Sequence, residues 1–96
     1  MKAEDVSVDL KFFEKPGSKL KAFADVTLPI GADGFVKLCG FSIMQADTEQ
    51  PRIAPPARRS GERYYDNVML IGKVRAIVQE AILDEYNRAV DSQGVS

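Results

Sequence analysis

Seven side chains between residues 58 and 75 are of types that could act together: Arg58, Arg59, Arg63, Tyr64 and Tyr65, then Lys73 and Arg75. A guanidinium group grips phosphate with paired donors, and a tyrosine ring offers a base a surface to stack on. Cations in the first turn of a helix sit where free backbone N–H groups already favour an anion. The chemistry these residues suggest is recognition of a polyanion, not the making or breaking of bonds. The same residues would also suit a hairpin whose charges are merely solvated. A cation at a helix start costs only about a few tenths of a kcal/mol, so its presence there does not require a ligand.

The charge distribution says more than its sum. The whole chain carries −1, but residues 52–75 carry +4 between flanks of −2 (residues 1–51) and −3 (residues 76–96). Such a basic island attracts phosphates locally even on a near-neutral chain.

Several classes of function are excluded or disfavoured. The chain has no histidine and a single cysteine, Cys39, so it has no intrachain disulfide and no histidine/cysteine zinc site of its own. No metal or cofactor is expected. Cys39 lies in an apolar run, which predicts a small buried side chain. The usual general base is missing. Asp84 and Glu85 would diverge by about 100° around a helix, and Ser42, Thr48 and Ser60 have no base beside them. Gly31-Ala32-Asp33-Gly34 lacks the Lys-Ser/Thr ending of a phosphate-binding loop and reads as a turn. The expectation is a protein that is not an enzyme and takes no small-molecule substrate. Met1 to Leu10 lacks the apolar core of a signal peptide, and no stretch has the length of a membrane span. A cytoplasmic location without membrane contact is expected.

The elements that must position these residues follow from periodicity. Asp5 to Phe13 alternates, with Val6, Val8, Leu10 and Phe12 on one face. Lys15-Pro16-Gly17-Ser18 suits a type II turn. Leu20 to Leu28 alternates again, and its small residues Ala22 and Ala24 leave room for a helix. Pro29 ends that strand. Phe35 to Met44 forms a third strand whose parity breaks at Gly40, the mark of a β-bulge. Gln45 to Gln50 is polar and predicts a loop. Arg52 to Ala54 and Arg63 to Val68 read as short strands, with Arg58 and Arg59 at the exposed tip between them. From Gly72 the period becomes helical: Val74, Ile77, Val78, Ala81, Ile82, Tyr86 and Ala89 share a face, predicting a helix over about residues 71–90 that stops before Gly94. The fold class is α+β, an antiparallel sheet of about five strands carrying one C-terminal amphipathic helix. It forms one domain over residues 1–96, with ordered structure over about 4–91 and fraying beyond.

Three runs together resemble the stage V sporulation protein G (SpoVG) family. They are Gly17 to Leu28, where a glycine turn leads into Leu-Lys-Ala-Phe-Ala-Asp-Val-Thr-Leu; Ile53-Ala54-Pro55-Pro56-Ala57-Arg58-Arg59 through Tyr65-Asp66; and the helical Val78-Gln79-Glu80-Ala81-Ile82-Leu83-Asp84-Glu85-Tyr86. The likeness extends over nearly all of residues 5–90. It implies a small α+β protein that dimerises through its sheet and binds nucleic acid, in a family that regulates gene expression, septation and sporulation. Arg58 and Arg59 match the family's basic pair after proline, and Lys73 and Arg75 its basic helix start. Met69-Leu70 stand where the family has a proline before the helix.

Two functions from different classes fit. One is a homodimeric regulator binding DNA or RNA, with Arg58, Arg59, Arg63, Lys73 and Arg75 on phosphates and Tyr64 or Tyr65 stacking on a base. The other is a non-enzymatic adaptor using the same loop on an acidic protein, since Arg and Tyr are enriched at interface hot spots. Dimerisation has its own argument: one helix covers one face of a sheet, and Phe13, Phe23, Phe35 and Phe41 exceed the needs of one thin core.

Overall fold

The computed structural model describes residues 1–92 apart from Glu14, Pro16 and Asp47. Four strands form an antiparallel sheet in sequence order: β1 (Ser7–Phe12), β2 (Leu20–Pro29), β3 (Phe35–Met44) and β4 (Arg52–Ala54). Two more, β5 (Ala57–Ser60) and β6 (Arg63–Asp66), make a separate two-stranded sheet, and α1 (Lys73–Ser92) closes the fold. The α+β class is as the periodicity predicts. The expected sheet of five divides into four plus two.

The core lies between α1 and one face of the larger sheet. Ala22, Ala24, Val26 and Leu28 of β2 meet Phe41 and Ile43 of β3 and Val78, Ala81, Ile82 and Tyr86 of α1. Ala22 and Ala24 are fully buried, so these small side chains do let the helix approach. The helix lies over β1, β2 and a 3-10 turn at Ala3–Asp5. That turn occupies the beginning of the expected first strand, because the Asp5 carboxylate accepts a hydrogen bond from the Lys2 backbone N–H at 2.8 Å and local bonds of this kind compete with the ladder.

The turns and bulges follow their residues. Ser18 N–H donates to the Lys15 carbonyl at 3.2 Å and Gly17 has φ +80°, as position three of a type II turn requires. Pro16, the other half of that expectation, lies outside the described residues, as does Gly94. The β2–β3 register slips twice, once by an extra residue on β2 at Lys21 and once by an extra residue on β3 at Cys39-Gly40. Gly40 takes φ +94°, and its N–H donates to Asp25 Oδ1 at 2.9 Å, satisfying a group the ladder has dropped. Helix α1 runs two residues later than predicted at each end. The left-handed Gly72, φ +87°, precedes its first turn.

Strand alternation sends Phe13, Phe23, Phe35 and Met44 to the face opposite the helix, where they stay exposed by 37–73%. Phe41 goes the other way, into the core. Cys39 is exposed, against expectation. Its neighbour Leu38 pairs with the buried Val26 and faces the helix, so Cys39 must face outward. Parity decides its environment here, and the apolar character of the run does not.

Candidate nucleic-acid interface

The basic hairpin is built by three prolines' worth of constraint and one glycine. Pro51 leads into β4, and Pro55-Pro56 ends it, since neither residue has an N–H to continue the ladder. Pro56 is buried, and a Cβ built on Gly40 would stand 3.7 Å from the Pro56 Cβ, so the hairpin's base is seated on the bulge of β3. The Asn67 N–H donates to the Pro56 carbonyl at 2.7 Å and closes the base. Cross-strand partners are Ala57–Asp66, Arg58–Tyr65, Arg59–Tyr64 and Ser60–Arg63, leaving the two-residue loop Gly61-Glu62. Gly61 has φ +65° while Glu62 is not left-handed, the pattern of a type II′ hairpin turn.

The expected placement of the arginines needs correction. Arg58 and Arg59 lie within β5 and not at the tip, because the turn chemistry of Ser60-Gly61 fixes the reversal at Gly61-Glu62. Adjacent strand residues face opposite ways. Arg58, Ser60, Arg63 and Tyr65 therefore share one face, and Ala57, Arg59, Tyr64 and Asp66 share the other. Arg59 Nε also donates to the Gly61 carbonyl at 3.0 Å, tying that guanidinium to the turn. Every residue of β5 and β6 is exposed. Tyr64 is 70% exposed and Tyr65 47%.

Lys73 and Arg75 are exposed in the first turn of α1, which contains no acidic residue. The Arg75 N–H donates to the Gly72 carbonyl at 3.1 Å. Among the described residues none of Arg58, Arg59, Arg63, Lys73 and Arg75 makes an ion pair; the pair formed is Arg88–Glu85, at 3.2 Å on the far part of the helix. Beside the hairpin's base lies a groove of about 450 Å³, lined by Phe41, Ile53, Pro55, Val68, Leu70 and Ile71, with Asp66 and Arg75 also on its walls. The groove thus joins the base of β6 to the first turn of α1. It does not include Lys73 or the outer part of the hairpin.

The sequence reading missed this groove. The helix covers the β1–β2 side of the sheet, and the β3–β4 side is left to the linker between β6 and α1. The available signal was the run Val68-Met69-Leu70-Ile71, apolar yet fitting neither strand nor helix period. Its alternate members Met69 and Ile71 are 74% and 77% exposed. Among the described residues there is no cluster of three or more potential metal ligands, and no helix is long and apolar enough to cross a membrane. No protein-family model, curated protein or solved structure matches the chain.

Proposed function

We propose that the chain is a nucleic-acid-binding regulator of the SpoVG kind, working as a homodimer. The observation that carries this reading is a set of five exposed cations on the hairpin and helix start, none held by a carboxylate among the described residues. Cations left unpaired on a chain of net charge −1 are available to phosphate. The likeness of the three sequence runs to the family points the same way. The sheet face opposite α1, with its exposed phenylalanines, supports a second copy as its cover.

The test is the salt dependence of binding to a random-sequence duplex. Each neutralised phosphate adds about −0.9 to the slope of log K against log salt. Replacing Arg58 and Arg59 together by alanine should weaken binding and flatten the slope by about 1–2. An unchanged slope defeats the assignment. An adaptor for an acidic protein would show almost no binding to random DNA at moderate salt. Light scattering at micromolar concentration should give twice the monomer mass, and a monomer removes the dimer from the proposal.

A further inference from the structure

The two faces of the hairpin are not equivalent, and the difference speaks to the kind of nucleic acid bound. We infer that the hairpin takes single-stranded nucleic acid, and on one face alone, that of Arg58, Arg63 and Tyr65. The inference rests on the nucleic-acid reading above.

That face carries two guanidinium groups and no carboxylate, whereas the opposite face carries one arginine, Arg59, and one carboxylate, Asp66, and sums to zero. Arg59 is further committed to the Gly61 carbonyl. On the charged face Tyr65 stands directly across from Arg58, about 5 Å away between backbones, with Arg63 about 7 Å along the same strand. A base stacked on Tyr65 would have its own flanking phosphates within reach of both arginines. Both tyrosines are exposed, Tyr65 by 47% and Tyr64 by 70%, so the Tyr65 ring is accessible to a base while showing less of itself to water than Tyr64 does.

Stacking on a tyrosine needs a base whose face is not already covered by its neighbours, which a duplex does not offer. The charge balance agrees. A duplex presents one negative charge per about 1.7 Å, a far denser field than a single strand. The flanks of this chain, −2 and −3, are repelled less by the sparser polymer.

The experiment is fluorescence anisotropy with a labelled mixed-sequence oligonucleotide of about a dozen nucleotides, a typical single-strand site, alone and annealed to its complement. The single strand should bind at least about tenfold tighter than the duplex, and Tyr65→Leu should weaken it by about five- to hundredfold. Arg58→Ala with Arg63→Ala should also lower the salt slope on the single strand, and by more than Arg59→Ala does, whereas Tyr64→Leu should change affinity by less than about threefold. Circular dichroism melts of each variant control for folding. Duplex binding as tight as single-strand binding, or equal losses from Tyr64→Leu and Tyr65→Leu, overturns this inference and leaves the broader one standing. Binding of neither form overturns both, and binding of polyglutamate in their place identifies a protein partner.

Discussion

Gly40 is required by its backbone. Its φ of +94° is one that side-chain-bearing residues rarely adopt, whereas the Pro56 side chain, 3.7 Å from where a Cβ would stand, is at ordinary contact distance. Gly40→Ala should cost about 1–3 kcal/mol, seen as a lower urea midpoint with an unchanged m value. Asp25→Ala, which orphans the Gly40 N–H, should cost about 1 kcal/mol, and Asp25→Asn less, since an amide oxygen still accepts. Tyr86 makes a second residue-scale prediction. Its ring stacks on Phe12 with centroids 6.0 Å apart, its hydroxyl donates to Gln45 Oε1 at 3.2 Å, and burial raises its pKa above the usual 10.0. The folded chain then holds this proton after the unfolded chain has released it. The stability from Tyr86 is complete below pH 10 and is lost as pH rises through the higher folded value. Tyr86→Phe should flatten the alkaline decline of the melting temperature while costing about 1 kcal/mol at neutral pH. The bulge itself was legible from the parity break at Gly40. The exposure of Cys39 was legible too, from Leu38 beside it, had alternation been weighted above hydrophobicity.

The hairpin β5–β6 is an element with its own fate. A lone two-stranded ribbon is marginal in water, and this one buries none of its eight strand residues. Its reversal depends on Gly61 at φ +65°. Gly61→Ala should strain the turn by about 1 kcal/mol and speed amide exchange across Ala57–Asp66, with the melt of the main domain nearly unchanged. A large loss of global stability would mean that the hairpin is part of the cooperative core. The bounds of β3 and β4 could be read from the sequence, because alternation, Pro29 and the glycines mark them. Partner choice could not. The runs Arg52 to Ala54 and Arg63 to Val68 look like mates across an arginine loop, but Pro55-Pro56 sends the chain off the sheet and β6 stops at Asp66, so β4 stays with β3 and β6 pairs with the arginine strand. Periodicity reports which residues face inward; it does not report which strand lies alongside.

At the scale of the molecule, the chain is a slab of 42 × 39 × 20 Å, as one helix layer on one sheet layer requires. Its core is small, and single residues count heavily. Ile82, fully buried between helix and sheet, should cost about 2–5 kcal/mol on replacement by alanine, a large part of the about 5–15 kcal/mol that holds a domain of this size. Urea titration monitored at the helix signal would measure it. The candidate site was legible as a set of residue types. Its division into two faces was not, because that needed the register of β5 on β6 and the position of the turn.

The paired slips in β2 and β3 cancel, so the strands are aligned alike at Leu20–Met44 and at Pro29–Phe35, with a displaced panel between. Excising Gly40 would close this bulge and leave the rest of the seam as it is: Ala24–Phe41 and Val26–Leu38 would flank one opposed couple, Asp25 and Cys39. The row of side chains under the helix would keep its parity, and the Asp25–Gly40 hydrogen bond would be the contact given up. Position 40 is thus a place where β3 can shorten without the helix losing its footing.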